Sequence, residues 1–271
     1  METRSARKTN PRKSHTDPSS PKTDRHIRPW SVAVWLIVWE LASLSVGQEI
    51  LLVSPVRVAV RLLELMTRSA ADFWPSVAFS FGRIIGGFVL SALTGILLAS
   101  LAGAFRPLRD LLAPAMAAIK AVPVASFIIL ILIWVPSRSL SVAISFLMVL
   151  PVMYLNVLNG IESMDPKLLE MAQVFRIPPA RRIRYLYVSQ LLPFLRSGFS
   201  LSLGLCWKAG VAAEVIGIPK GSIGEKLYEA KVYLETPDLF AWTLVIVCLS
   251  VFFEKSFLRL ADRLASMLER M

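Results

Sequence analysis

Residues Ile84 to Phe105 read IIGGFVLSALTGILLASLAGAF, with no charged side chain between Arg83 and Arg106. A helix needs about 20 mostly apolar residues to cross the hydrocarbon layer of a bilayer. This stretch meets that length unaided and fixes the solvent in which the chain folds. Ser139 to Ile161, bounded by Arg138 and Glu162, does the same. Of the 271 residues, 55% are hydrophobic and 18% charged, with a mean hydropathy of +0.59. A soluble globular domain carries about 25% charged residues. The sequence therefore predicts an all-α membrane protein. The apolar content excludes a disordered chain. The cysteines, Cys206 and Cys248, lie inside apolar blocks, which excludes a disulfide scaffold.

Four further windows pass if an ionisable residue is allowed inside or at an edge. Ser31 to Gln48 contains Glu40, and Ala121 to Ser137 is clean but follows Lys120. Leu191 to Ile216 contains Arg196, Lys208 and Glu214; Leu239 to Phe253 is short and must extend over Asp238 or Glu254. The expectation is six transmembrane helices. The loops set their orientation. With residues 1–29 inside, cytoplasmic segments hold nineteen Lys and Arg and outer loops seven. That asymmetry obeys the positive-inside rule. Both termini are expected in the cytoplasm, and the formal charge of +11 needs no nucleic acid to explain it.

Residues 1–29, rich in Pro, Ser, Thr and charge, read as a disordered basic tail, and 30–271 as the membrane domain. A signal peptide is a poor fit: its charged region would be too long, and Glu40 interrupts the apolar core. No period of 20–50 residues repeats.

Gly87, Ser91, Gly95, Ala99 and Gly103 recur every four residues, a spacing that lets helix backbones approach closely in lipid. That helix is expected in the middle of the bundle. Ser200, Gly204, Lys208 and Ala212 repeat the device, which points Lys208 toward protein rather than lipid. An ionisable residue at that depth is a functional candidate. Its structural alternative is a pair with Glu40, Glu214 or a backbone carbonyl. Glu214 lies six residues on and faces another side of the same helix. Pro114, Pro123 and Pro151 predict bent helices, which suit a transport path or irregular packing.

The loop from Glu162 to Gln190 is long, amphipathic and cytoplasmic by the charge count. Asp165 can cap a helix whose first turn takes Pro166. Leu168, Met171, Ala172 and Phe175 fall on one face, and Pro178-Pro179 end the helix. Such a helix either lies on the membrane surface or inserts into a groove on a partner.

Glu170-Met171-Ala172, followed by Leu186, Val188 and Pro193, resembles the EAA signature of ABC importer permeases. Arg176 stands where that signature has glycine, and Ser189 where it has proline. Trp39-Glu40, Val53-Ser54-Pro55, Ser80 to Gly87, Ala121-Val122-Pro123, Ala213-Glu214 and Gly221-Ser222-Ile223-Gly224 resemble family segments in order. The likeness spans about residues 30–265 and is strongest to the nitrate, sulfonate and taurine branch. It implies the type I ABC importer permease fold in a bacterial inner membrane, with two permease subunits, here a homodimer, forming the path. It also implies two separate ATPase subunits below and an extracytoplasmic solute-binding protein above. It assigns Leu168, Glu170, Met171, Ala172, Phe175 and Arg176 to the ATPase contact of the coupling helix. Lys208, Glu214 and Pro123 become candidates for the translocation path, with Lys208 favouring a small anion. With Arg176 in the glycine position, the turn after the coupling helix is expected at Pro178-Pro179.

No phosphate-binding Gly-x-x-x-x-Gly-Lys-Ser/Thr loop is present. His15 and His26 lie in the tail, so no metal cluster and no Ser/His pair is visible within the membrane. No cofactor or catalytic residue is expected. Two rival readings are a secondary transporter and a membrane scaffold that binds a cytoplasmic partner through 162–190. The first is disfavoured by the absence of inverted repeats, the second by bent helices and Lys208.

Overall fold

The computed structural model describes residues 29–48, 50–182 and 186–270. The predicted tail thus lies, but for Pro29, outside the described residues. Among those described there are helices and no strand. In order they are α1 (Pro29–Val46), α2 (Pro55–Thr67), α3 (Ala70–Ala104), α4 (Arg106–Ala121), α5 (Val124–Leu132) and α6 (Ser137–Glu162). Then come α7 (Pro166–Val174), α8 (Pro179–Arg182), α9 (Val188–Gly217), α10 (Ile223–Val232) and α11 (Thr236–Arg270).

Four helices, α3, α6, α9 and α11, are long and apolar enough to cross a membrane, and α4 with α5 makes a fifth if the bent pair is one span. The expected third span is not one helix. The chain breaks at Val122-Pro123 and turns through 104° between α4 and α5. Proline has no N–H to continue the ladder, and it biases the preceding residue away from helix. Val122 is accordingly extended, at φ −75° and ψ 130°. The expected first span, α1, is apolar but shorter than the helices that meet the length for a crossing. The second begins earlier than its uncharged core, at Ala70, making α3 about 52 Å long. The segment after α1, expected as an outer loop, is itself largely helical, as α2.

The core is α3 against α6 and α6 against α9. The small-residue stripe of α3 makes it possible. A Cβ on Gly87 would sit 2.6 Å from the Val142 carbonyl oxygen, and one on Gly95 2.8 Å from Met153 Cβ. Between them Ser91 Oγ donates to the Phe146 carbonyl at 2.8 Å. The backbones are close because those two positions carry no side chain. Phe88, Trp207, Met153 and Leu203 fill the adjoining layer, with Phe253 and Phe257 of α11 edge-on to Phe88. Where α9 enters this core it is also close: a Cβ on Gly210 would meet Ile84 Cγ1 at 2.6 Å.

The segments at the N-terminal end of α3 form a linked cap. Ser54 Oγ accepts from the Val56 N–H to start α2 and donates to Glu40 of α1 at 2.7 Å. Arg61 of α2 holds Asp238 of α11 through two guanidinium nitrogens, Nη2 to Oδ2 at 3.0 Å, and also meets Glu64. Hydrogen bonding to Asp238 raises the Arg61 pKa above its ordinary value, so the pair stays charged. Thr236 Oγ1 donates to the Ile50 carbonyl at 2.8 Å.

Candidate functional site

The helix α7 forms where expected. Asp165 caps it, its carboxylate accepting from the Lys167 N–H at 2.9 Å, and Pro166 occupies the first turn. The Asp165 N–H donates to Gln190 Oε1 at 3.3 Å, tying the start of α7 to α9. The predicted face divides in two. Ala172 is 1% exposed and turned inward, as is Met164 just before the helix. Leu168, Met171 and Phe175 are exposed, Phe175 at 73%. Glu170 and Arg176 are exposed as well. Val174, absent from the expected set, is 78% exposed and belongs to the outward apolar group. A spacing rule counts four apolar positions as one stripe; it does not say which of them is small enough to pack inward.

The turn after α7 is made at Arg176, and not at Pro178-Pro179 as expected. Arg176 adopts the left-handed conformation, φ 47°. Its N–H donates to the Gln173 carbonyl, and the Ile177 N–H to that of Ala172, both at 3.0 Å. This pair of bonds is the Schellman stop, whose pivotal residue is most often glycine. Arginine keeps the geometry that the family glycine serves, at the steric cost of a Cβ in that region.

The path candidates do not converge on one point. Glu214 is fully buried on α9. Ser80 Oγ of α3 donates to its Oε2 at 2.6 Å and itself accepts from the Ile223 N–H at 2.9 Å. The Gly224 N–H reaches the same Oε2 at 3.3 Å. A carboxylate is favoured at a helix N-terminus, here that of α10. Gly224 is required, since a Cβ there would lie 2.2 Å from Glu214 Cβ. Glu214 therefore joins α3, α9 and α10. Sequence reading missed Ser80 as its partner, because a serine 134 positions away carries no local signal.

Lys208 is exposed and makes no ion pair or hydrogen bond among the described residues. Its expected burial against protein does not occur within this chain: a Cβ on Gly204, one turn earlier, would meet nothing within 4 Å. Neither Glu40, which accepts from Ser54, nor Glu214 pairs with it. Pro123 is exposed at the α4–α5 break. Ile119 and Val124, on either side of that break, pack on a cluster containing Ala209 and Ala213. The break thus lies against the part of α9 that carries Lys208, while the Glu214 carboxylate faces the α3–α10 joint.

Sequence reading also missed the junction of α4 and α6. Arg109 pairs with Glu162 across it, and beside the pair runs an open groove of about 610 Å³. No group of three or more His, Cys, Asp or Glu suited to a metal occurs among the described residues.

A bundle of apolar helices, interrupted by a capped amphipathic helix with an exposed apolar face, defines a multi-pass membrane protein. The profile of the binding-protein-dependent transport system inner membrane component family matches residues 91–269. The chain belongs to that family, a family of bacterial inner-membrane permeases, and is an ABC transporter permease. It is 28% identical to the putative aliphatic sulfonates transport permease protein SsuC of Bacillus subtilis, covering 85% of this chain and 83% of that one. It is 26% identical to the taurine transport system permease protein TauC of Escherichia coli, covering 86% of each. The bicarbonate transport system permease protein CmpB of Synechococcus elongatus is 23% identical over 72% of this chain and 73% of its own. These relatives are transport subunits, not enzymes.

Proposed function

We propose that the chain is the translocating subunit of an ATP-driven importer for a small organic anion, working as a homodimer. Two separate ATPase subunits bind on the cytoplasmic side and an extracytoplasmic binding protein delivers the solute. The observation that carries this reading is α7: a short capped helix between α6 and α9 that leaves Leu168, Met171, Val174 and Phe175 uncovered. Large apolar side chains on a charged cytoplasmic loop are stable when a partner's groove covers them. Glu170 and Arg176 flank that face and orient the docking.

In this reading α1, α3, the α4–α5 pair, α6, α9 and α11 make six crossings, both termini are cytoplasmic, and residues 1–29 form a basic tail ahead of the domain. ATP does work by population shift. It drives the permease outward-open only because it binds the closed ATPase pair more tightly than the open pair. The coupling helices carry that difference into the bundle, since Gln190 and buried Ala172 fasten α7 to the membrane helices. The relatives named for sulfonate, taurine and bicarbonate transport, with Lys208 unpaired at mid-helix, support an anionic solute.

The test is uptake into proteoliposomes holding the chain, its ATPase subunit and the binding protein, with radiolabelled taurine and an aliphatic sulfonate as probes. Vanadate-sensitive uptake requiring ATP and the ATPase subunit is the expected result. Uptake driven by an ion gradient without ATP identifies a secondary transporter, and partner binding with no uptake of either probe identifies a scaffold. Topology is read by labelling Met171→Cys from each side of sealed cells. Labelling from the outside overturns the proposal.

A further inference from the structure

The outward face of α11 changes character along its length. On its inward side Trp242, Leu249, Phe253 and Phe257 pack on the bundle. On the other side Leu244, Val247, Val251 and Phe252 are exposed, and Lys255, Arg259 and Arg263 follow them, exposed as well. α11 is also the least covered of the four long spans. Of its apolar stretch 22% is buried, against 39%, 61% and 44% in α3, α6 and α9.

The carboxylates of this part of the helix turn the other way. Glu254 accepts from Ser200 Oγ at 3.3 Å, and Asp262 accepts from Arg196, both partners on α9. The side chains of Lys255, Arg259 and Arg263 have neither an ion pair nor a hydrogen bond among the described residues. Residues 254–263 together with Arg196 set four cations against two carboxylates, and the surplus lies on the outward side. Cations near a helix C-terminus are favoured by the macrodipole. That accounts for their place along the axis. It does not account for three of them on a side from which the acids are withheld.

Depth decides what can meet them. A hydrocarbon layer about 30 Å thick takes about 20 helical residues. Counted from Leu239, next to the Arg61–Asp238 pair, it ends near Arg259. Lys255 then lies about 6 Å inside that edge and Arg263 about 6 Å beyond it. Lys255 reaches the edge by laying its aliphatic stem along the acyl region. A soluble partner does not meet an ammonium at that depth, whereas a phospholipid phosphate does. A zwitterionic headgroup brings its own cation and leaves the surplus unmet; a net negative one neutralises it.

We infer that Lys255, Arg259 and Arg263 form a binding site for the headgroup of an anionic phospholipid, with Phe252 against its acyl chains. This rests on α11 crossing the bilayer and on nothing about the solute or the ATPase subunit.

The experiment uses the full chain with Cys206→Ala and Cys248→Ala as background and a bimane fluorophore on Leu260→Cys, an exposed position beside Arg259. It is reconstituted in phosphatidylcholine vesicles containing phosphatidylglycerol or phosphatidylcholine that carries a nitroxide near the top of one acyl chain. The readout is quenching by the first lipid relative to the second. A preference for phosphatidylglycerol is expected, falling about fivefold in Arg259→Gln, the equivalent of about 1 kcal/mol for one cation at an anionic surface. The preference should vanish in Lys255→Gln/Arg259→Gln/Arg263→Gln and persist in Lys220→Gln, which removes an exposed cation from the loop after α9. Should the triple variant fail to insert, salt serves on the parent: raising it from about 0.1 M to about 1 M shortens the Debye length from about 10 Å to about 3 Å and should erase most of the preference. Equal quenching by both lipids in the parent overturns the inference, as does a preference that survives the triple substitution or high salt. Absence of quenching by either lipid also overturns it, since a protein neighbour, a second copy or the ATPase subunit, then covers the face.

Discussion

Phe175→Ala isolates the contribution of the outward face of α7. Phe175 is 73% exposed and caps the helix with bridge-region torsions, φ −78° and ψ 3°, which alanine also adopts. A phenylalanine fully removed from water buries about 200 Å². The exposed share comes to roughly 150 Å², of which truncation to alanine forfeits about 100 Å². At about 25 cal/mol per Å² that is near 2.5 kcal/mol. A contact that leaves part of the ring in water brings the figure to about 2 kcal/mol, roughly a thirtyfold rise in Kd. The assay is the affinity of detergent-purified permease for its nucleotide-free ATPase subunit, by surface-immobilised binding. Leu111→Ala, equally exposed but on α4, serves as the control and is expected to change nothing. A Kd for Phe175→Ala within threefold of the parent, with the fold intact by circular dichroism, refutes the assignment of this face to the ATPase groove.

Other substitutions probe the frame that holds this helix. Gly95→Ala places a Cβ 2.8 Å from that of Met153 and is expected to cost about 1–3 kcal/mol, read as a lower Tm in detergent, whereas Gly82→Ala enters open space and should leave Tm unchanged. Arg176→Gly relieves a left-handed non-glycine residue and should stabilise the α7 stop by up to about 1 kcal/mol, seen as slower proteolysis between 173 and 178; Arg176→Val should speed it. Glu214→Ala strands the Ser80 hydroxyl and the Gly224 N–H, about 1–3 kcal/mol for each buried group left unpaired. Hydrogen exchange at the start of α10 should rise in that variant, and equal protection in parent and variant would remove Glu214 as the joint.

Much of the fold was legible because lipid imposes a simple rule: charge-free runs of sufficient length become spans. Ile84 to Phe105 and Ser139 to Ile161 obey it, and the four-residue repeat of small side chains correctly placed α3 at the centre. What the rule could not supply was the break at Pro123, since a proline in an apolar run marks a bend without fixing its angle. It was equally silent on α2, whose alternating Arg and aliphatic residues satisfy no span test. Asp165 and Pro166 gave away the start of α7 by chemistry local to the first turn. Its end was misread, since prolines are visible stop signals and an arginine at φ 47° is not. The partners of Glu214 and Arg109 depend on contacts between distant segments, which one sequence does not encode as a pattern.

Among the described residues the first helix meets the rest through groups that include the Trp39 ring on Phe240, Glu40 to Ser54, and Ser43 to the Leu52 carbonyl. Nearly all of its large side chains point outward. A helix so loosely attached contributes little to holding the bundle. Its outward side chains, Trp30, Trp35, Ile37, Leu41 and Leu44 among them, are given over to what surrounds the bundle instead. It is a mooring on the rim, and another apolar helix that kept Trp39, Glu40 and Ser43 in register could take its place.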